Sequence, residues 1–250
     1  MVTRPFRRAL VREAARCFAQ QTHQNRELLV VTADALKSGP DELLALESVV
    51  REEAGERVRF VHMPHPLELG PQRNISVAHS TGQFVCTWDD DDLAHPTRIA
   101  EQLASVVQSG LAASYLTEVV HFFVEDRVAW LCNWKNAPQG GHPGTGLFRA
   151  GLSERYPETG KEAQWGEDTS YALAIRGHGG IVPTPTPLYI YRFTGGNLWG
   201  REHHQNLVDR MAVSKALLQR REGELRARLT EMGLPARTEL RGSNGTAFVL

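Results

Sequence analysis

This sequence of 250 residues has few cysteines, no marked excess of either charge and no long apolar run. Its three cysteines, Cys17, Cys86 and Cys132, are far apart and lie in apolar segments. This spacing argues against a disulfide framework or a zinc site and favours reduced thiols in the protein core. The 28 basic side chains nearly balance the 29 acidic ones, so no overall charge attracts the chain to nucleic acid or to an anionic membrane.

The apolar segments are too short for a membrane-spanning helix, which needs roughly 20 consecutive apolar residues. The first segment, MVTRPFRRALVREAARCF, also lacks the long apolar centre of a secretory signal peptide. Together with the reduced cysteines, these features predict a cytoplasmic protein without a transmembrane segment and without a nucleic-acid partner.

What the sequence does contain is an alternation of helix and strand patterns over its first 110 residues. Hydrophobic periodicity predicts helices at 6–20, 41–55, 72–82 and 96–110, and strands at 27–32, 57–62 and 83–88. Such alternation predicts a parallel sheet with helices on both faces. The first helix begins at about residue 6, although a strand usually has about five residues. We therefore expect either a shortened first strand or a chain that starts upstream of Met1.

The pattern changes in the second half of the chain. Two strands joined by a turn are predicted at 112–134, then a loop rich in Gly and Pro at 136–146, a helix at 168–178 and a strand at 187–193. A long charged helix is expected at 201–229, with leucines along one stripe that could serve a homodimer. The residues from Pro235 onward predict a loose tail, and no linker divides the chain.

The segment FVCTWDDDDLAHPTR, residues 84–98, runs from a predicted strand into four consecutive aspartates, Asp89 to Asp92. Open α/β sheets place their ligand crevice at the carboxyl ends of strands. Carboxylates are also the preferred ligands of Mg²⁺ and Mn²⁺. The repulsion among the four carboxylates must be compensated by water, by a cation or by a cluster of basic side chains. A solvated acidic turn is the alternative interpretation.

The segment LGPQRNISVAHSTGQFVCTWDDDDLAHPTRIAEQL, residues 69–103, resembles the core signature of family 2 glycosyltransferases. That signature contains a Gly, an Arg-Asn pair, a short helix, a strand, a D-x-D-D motif and a helix that begins with Pro and carries an Arg. The segment TRPFRRALVREAARCFAQQTHQNRELLVV is similar to the family's first helix and second strand. The resemblance extends over roughly residues 1–200.

This resemblance implies an α/β protein of the GT-A (nucleotide-diphospho-sugar transferase) fold. We expect a mostly parallel central sheet flanked by helices, a shortened first strand and a long C-terminal helix. One glycosyltransferase domain is expected over 1–235, followed by a loose tail at 236–250. Within the domain we expect a nucleotide-binding half at 1–110, an acceptor half at 111–200 and the C-terminal helix at 201–235.

The resemblance also assigns roles to the acidic run, whose D-x-D motif falls on Asp89, Asp90 and Asp91. It implies that Asp91 is the metal ligand and that Asp89 and Asp90 contact the nucleotide ribose or a metal-bound water. The compensating charge would then be a divalent cation and its bound diphosphate, and the run is expected to be mobile or hydrated without them. Asp92 is expected to cap the turn and helix that follow, since Asp accepts N–H bonds at such positions. Arg73 matches a basic position near the donor nucleotide or its diphosphate, although a surface salt bridge is the alternative.

A second acidic motif, WGEDTSYALAIRGHGG at 165–180, resembles the family's Glu-Asp pair at the start of a helix. In inverting members this Asp is the general base, so Asp168 is the expected catalytic base and Glu167 its catalytic neighbour. A positioned carboxylate can take the proton of an acceptor hydroxyl as that hydroxyl attacks. The alternative is an ordinary helix start, where acidic residues are favoured anyway.

Histidines and tryptophans supply further candidates. His142 lies in the Gly-rich loop and is expected to contact the phosphate, the sugar or a metal. By resemblance to late metal ligands of some GT-A enzymes, His203 and His204 are candidate metal ligands. Trp165 and Trp199 could stack on a sugar or acceptor, but core packing fits them equally.

The nucleotide pocket is expected to include the first strand-to-helix turn, where Thr3 and Arg4 match the family. The family's DDGS segment, whose Asp binds the nucleotide base, is replaced here by VVTADALKSG. Asp34 is displaced by one or two residues from that acid and is its candidate substitute.

These observations predict a metal-dependent, inverting glycosyltransferase of the hexosyltransferase type. Its donor would be a UDP-, GDP- or dTDP-linked sugar and its cofactor Mn²⁺ or Mg²⁺. The acceptor could be a glycan, a lipid-linked glycan, a natural product or a peptide.

Two other interpretations stay open. The altered segment around Asp34 and the short first strand also suit a catalytically impaired relative that binds a sugar nucleotide or a protein partner. A phosphatase with an aspartate nucleophile is disfavoured, because such enzymes place their motif on the first strand and follow it with Gly and Thr.

Overall fold

The computed structural model describes residues 1–250, and their first part alternates strands and helices as predicted. The strands are β1 (Val2–Thr3), β2 (Leu28–Thr32), β3 (Val58–His62), β4 (Phe84–Cys86) and β5 (Leu93–Ala94). The helices are α1 (Arg8–Ala19), α2 (Ala35–Ser38), α3 (Pro40–Ala54), α4 (Leu69–His79) and α5 (Arg98–Ser109). All five residues of β2 are buried, as expected of a strand covered by helices on both faces.

The later part of the chain supplies the remaining elements. Its strands are β6 (Ala113–Leu116), β7 (Glu118–Phe123), β8 (Val128–Asn133), β9 (Leu147–Arg149), β10 (Ile181–Thr184), β11 (Tyr189–Phe193), β12 (Glu239–Gly242) and β13 (Gly245–Val249). Its helices are α6 (Glu167–His178), α7 (Arg201–Met211), α8 (Lys215–Arg220) and α9 (Glu222–Glu231). No helix is both long and apolar enough to cross a membrane.

The central sheet is mostly parallel. Strands β1, β2 and β3 pair in parallel, and a parallel bridge from Val2 to Asp89 connects β1 to the segment that follows β4. Beyond β4 come antiparallel β9, then β6 and its parallel neighbour β10. The order across the sheet is therefore β3-β2-β1-β4-β9-β6-β10. This arrangement confirms the predicted α/β fold, in which β1 has only the two residues Val2–Thr3.

A second sheet packs beside the first, in the order β13-β12-β8-β7-β11-β5. One continuous cluster of buried apolar side chains runs from Val11 on α1 and Val30 on β2 to Leu218 on α8 and Leu225 on α9. This core is therefore shared by the first and last parts of the chain.

The predicted long C-terminal helix is wrong, because three shorter helices replace it. After α7, Ala212 is extended (φ −61°, ψ 131°) and forms an antiparallel bridge with Cys132 of β8. The buried Val213 donates its N–H to the carbonyl of Leu131, so the chain leaves the helix to pair with a strand. Ser214 then starts α8, and its side chain accepts the N–H of Leu217.

The predicted loose tail is also wrong. Residues 239–249 form the hairpin of β12 and β13, and β12 pairs in parallel with β8. Leu240 and Phe248 are buried in the main core. The turn between the strands has the sequence Gly-Ser-Asn-Gly, and an Asn-Gly pair flanked by strand formers is a strong hairpin signal.

Candidate active site

The four aspartates lie at the carboxyl ends of β1 and β4, beside a cavity of about 420 Å³. The short β1 contributes Thr3 to the wall, and the turn into α1 contributes Arg4 and Arg7. Helix α4 contributes Arg73, and the start of α6 contributes Glu167. The crevice is thus where parallel α/β sheets place their ligands.

Arginines compensate much of the charge of the acidic run. Arg7 places Nη1 2.7 Å from Asp90 Oδ1 and Nη2 2.7 Å from Asp91 Oδ2. Asn197 also donates to Asp91 Oδ2, at 3.1 Å. The expectation of a hydrated run is wrong for Asp90 and Asp92, each of which is only 3% exposed.

Asp90 is the most constrained of the predicted nucleotide-binding acids. Its Oδ2 accepts the hydroxyl hydrogen of Thr3 at 2.5 Å, so the predicted residue Thr3 lies in the site and orients Asp90. Burial, reinforced by the neighbouring charge of Asp91, raises the pKa of Asp90 from 3.8 to about 7, against the opposing effects of Arg7 and Thr3. Asp90 therefore titrates near neutral pH.

The prediction that Asp92 caps the helix that follows is wrong. Its Oδ2 accepts the hydroxyl hydrogen of Tyr189 at 2.5 Å, and its Oδ1 accepts the backbone N–H of Arg192 at 2.7 Å. Both partners belong to β11, so Asp92 fastens the acidic segment to the second sheet. Burial, followed by repulsion from Asp91 and Asp89, holds the pKa of Asp92 well above its ordinary value.

Arg73 connects the two predicted acidic motifs. Its Nη2 lies 3.1 Å from Asp89 Oδ1 and its Nε 2.9 Å from Glu167 Oε1. The ion pair is largely buried, with the Arg73 side chain 11% exposed, so it is not a surface salt bridge. Asn74, the next residue, bonds through its side chain to the backbone N–H and carbonyl of Tyr156, which holds α4 in this orientation.

The second motif starts a helix, as predicted. Gly166 has φ +80°, a conformation that favours glycine, and it turns the chain into α6 so that Glu167 and Asp168 occupy the first turn. Asp168 Oδ1 accepts the backbone N–H of Thr169 at 2.7 Å. Burial and then the neighbouring charge of Glu167 raise the pKa of Asp168 to about 7, while Arg73 acts in the opposite direction.

His142 lies behind the acidic run rather than in the cavity wall. It is 5% exposed, and its ring packs against Trp134 and Tyr191 at centroid distances of 4.6 and 4.9 Å. A side-chain carbon at Gly144 would lie 3.2 Å from Asp89 Oδ2 and 3.3 Å from His142 Cε1, so only glycine leaves both undisturbed. Burial lowers the pKa of His142 to about 3, which keeps the ring neutral.

The predicted metal ligands do not converge on one point. No three His, Cys, Asp or Glu side chains form a group that could hold a metal ion. His204 is buried against Tyr191, with ring centroids 4.6 Å apart, and His203 stacks on Trp199 at 4.3 Å. Burial lowers the pKa of both histidines. The carboxylates still suit Mg²⁺ or Mn²⁺, since such ions commonly use one or two protein carboxylates and complete their shell with water and phosphates.

Asp34 is not among the residues that line the cavity. It adopts a left-handed conformation (φ 62°) before α2, and its nearest basic partner is the exposed Lys37, with Nζ 4.0 Å from Oδ2. Trp199 does line the cavity, and Trp165 packs edge-on against it at 4.9 Å. The structure therefore brings most of the predicted nucleotide-binding residues together but leaves Asp34 and His142 outside the cavity wall.

Sequence reasoning missed three residues that organise this site: Arg7, Tyr189 and Arg192. Each meets the acidic run from 84 to 101 residues away along the chain. Nothing in the local pattern around these residues distinguishes them from other charged or aromatic side chains.

The strand order of the central sheet is that of a GT-A glycosyltransferase fold. The acidic residues after β4 and the Glu-Asp pair at the start of α6 lie at one crevice of this fold. The sequence model of glycosyl transferase family 2 matches residues 6–157, and the chain belongs to this family. No curated protein sequence matches the chain.

Solved structures show the same fold. TarS 1-349 from S. aureus in complex with UDP-GlcNAc is similar with a TM-score of 0.59 and 16% identity, over 94% of this chain and 66% of that one. The mannosyltransferase PcManGT from Pyrobaculum calidifontis, in complex with GDP-Man and Mn²⁺, is similar with a TM-score of 0.54 and 15% identity. The match covers 87% of this chain and 61% of that one. The chain spans only 41% of the longer TarS structure. At these identities the likeness shows the fold alone.

Proposed function

We propose that the chain transfers a sugar, with inversion, from a nucleoside-diphosphate donor to an acceptor hydroxyl. The observation that carries this proposal is the position of Arg73, which contacts Asp89 of the strand-end acids and Glu167 beside Asp168. Arg73 and the strand-end acids thus line one cavity together with Glu167, the neighbour of the proposed base. UDP, UDP-GlcNAc and GDP-Man in the similar structures support a donor of this class.

Asp168 is the general base in this proposal. Its carboxylate takes the proton of the acceptor hydroxyl as the oxygen attacks the anomeric carbon from the face opposite the leaving group. A pKa of about 7 places the base near the operating pH, where proton transfer is most efficient. Glu167, held by Arg73, keeps a second negative charge next to the base and so contributes to this basicity.

On the opposite side, Arg73 would contact the donor's diphosphate beside the acidic run. A divalent cation, when bound, neutralises the negative charge that develops on the leaving nucleoside diphosphate. Asp91 would hold this ion, and Asp89 and Asp90 would bind the ribose or water around it. Mn²⁺ in the structure of PcManGT supports Mn²⁺ or Mg²⁺ as the cofactor. His204 is buried among aromatic rings and His203 stacks on Trp199, and neither joins a group of side chains that could hold a metal ion.

The experiment is a donor panel of UDP-, GDP- and dTDP-sugars with Mn²⁺, read by release of the nucleoside diphosphate and by the anomeric configuration of the product. Activity should appear with one nucleotide class and give the inverted anomer. Asp168→Asn should lower the rate at least about 100-fold, because general base catalysis contributes on this scale. Asp209→Asn, at an exposed position on α7, is the matched control. A retained anomeric configuration, or an unchanged rate in Asp168→Asn, would contradict the assigned mechanism.

One observation favours the alternative of a catalytically impaired binding protein: Asp34, the candidate base-binding acid, lies outside the cavity. In that case a nucleotide sugar would raise the melting temperature by mass action but would not be consumed. The donor panel followed by thermal unfolding separates the two functions. A cytoplasmic location and a homodimer stay predictions from the sequence.

A further inference from the structure

Arg7 pairs with Asp91, the expected metal ligand, and with the neighbouring Asp90. We propose that Arg7 is a resident cation of the donor site, which the divalent ion must displace, so that metal and nucleoside diphosphate bind together rather than separately. This inference rests on the proposed function, because it concerns how the donor and its metal enter the same site.

The contact has the geometry of a specific ion pair. The two terminal nitrogens of the guanidinium each lie 2.7 Å from a different carboxylate, Asp90 and Asp91. Such two-point contacts are stronger and more directional than a contact to a point charge. The Arg7 side chain is 21% exposed and those of Asp90 and Asp91 are 4% and 14% exposed, so water screens the pair weakly.

The other bonds to these carboxylates strengthen this arrangement. Asn197 donates to the same Asp91 oxygen as Arg7, and Thr3 donates to the second oxygen of Asp90. Pro5, which is buried, starts the short helical turn that carries Arg7, so the backbone is fixed close to the acidic run. The carboxylates are therefore already satisfied without a metal.

A divalent ion on Asp91 would meet the positive charge of Arg7 at close range, where Coulomb repulsion is large. A guanidinium cannot relieve this repulsion by losing its proton. It can only move, and it needs another anion to replace its carboxylate partners. A diphosphate supplies matching oxygens, because the planar guanidinium binds phosphate as well as carboxylate. Arg7 lines the same cavity as Arg73, so it can turn to such a ligand without leaving the site.

The consequence is coupling between two ligands. Metal alone competes with Arg7 and binds weakly, whereas metal with a nucleoside diphosphate gives Arg7 a new partner and binds tightly. By linkage, the metal must raise the affinity for the nucleotide by the same factor.

The test measures Mn²⁺ binding to the full chain by electron paramagnetic resonance of free Mn²⁺, with and without UDP or GDP. Wild-type protein should bind Mn²⁺ at least about tenfold more tightly when the matching nucleotide is present. Arg7→Gln should bind Mn²⁺ more tightly than wild type without nucleotide and should lose most of the coupling. Arg8→Gln, which removes an exposed arginine one residue away, should behave like wild type.

The outcomes separate this inference from the function on which it rests. Wild-type coupling together with an unchanged or weaker Mn²⁺ affinity in Arg7→Gln overturns the role of Arg7 and leaves the proposed function standing. No Mn²⁺ binding in any variant, even with nucleotide, overturns both metal assistance and this proposal. If circular dichroism shows that Arg7→Gln does not fold, Arg7→Lys replaces it. Lysine lacks the two-point contact, so a Mn²⁺ affinity equal to that of wild type would then overturn the proposal.

Discussion

The buried carboxyl of Asp90 predicts a specific dependence of stability on pH. Its pKa rises from 3.8 to about 7 on folding, chiefly because of burial. At about 1.36 kcal/mol for each tenfold change in proton affinity, this difference corresponds to about 4 kcal/mol. The folded protein binds this proton more tightly than the unfolded chain. The stabilisation is therefore complete below about pH 4 and is lost as the pH rises through about 7.

Asp90→Asn isolates this contribution, because asparagine keeps the size of the side chain and an oxygen for the hydroxyl of Thr3. The free energy of unfolding of wild type minus that of Asp90→Asn should fall by about 4 kcal/mol between about pH 4 and pH 8. For a chain of this length the difference in melting temperature should change by roughly 8–16 °C over the same range.

The assay is urea unfolding, followed by circular dichroism at a series of pH values for both proteins. Taking the difference between the two cancels the titrating groups that do not interact with Asp90, and Asp209→Asn serves as a control at an exposed position. A difference that is constant with pH, or that grows as the pH rises, would refute the assignment of a raised pKa to buried Asp90.

Three further predictions concern catalysis and the second sheet. The kcat/KM for transfer should rise with pH and level off above about 7, because Asp168 must lose its proton to act as a base; a flat profile between about pH 5 and pH 9 would contradict this. Ser214→Ala should lower the free energy of unfolding by about 1 kcal/mol in urea titrations, since it removes the side chain that caps α8. No change would mean that the break after α7 does not depend on the hydrogen bond from Leu217 to Ser214. Leu240→Ala should lower the free energy of unfolding by about 2–5 kcal/mol, because this side chain is fully buried. Thr246→Ala, at an exposed position of the same hairpin, should change it little. Equal effects of the two substitutions would place the hairpin outside the core.

The sequence was sufficient for features that local periodicity or local chemistry determines. The alternation over the first 110 residues specifies strands buried between helices, and the aspartates follow directly on β4. Gly166 and the acidic pair after it mark the start of α6. These signals depend only on neighbouring residues, so one sequence reveals them.

Other features depend on contacts between distant residues. Helical periodicity continues through Ala212 and Val213, but pairing with β8 supplies backbone hydrogen bonds that a helix would otherwise provide. Asp92 looks like a helix cap, although the backbone of β11 offers it a buried partner 100 residues away. The hairpin at 239–249 did have a local signal in Asn244-Gly245, and sequence reasoning overlooked it.

Because of the hairpin of β12 and β13, the edge strand on this side of the second sheet is β13 rather than β8. Without it, β8 would expose unpaired backbone groups from Val128 to Trp130, a surface on which another chain could add its own strand. With it, the outermost strand is β13, which is mostly exposed and follows a register shift at Leu240 and Arg241. An irregular border of this kind is a poor template for strand addition. These residues therefore protect the folded protein from aggregation, although they lie far from the chemistry.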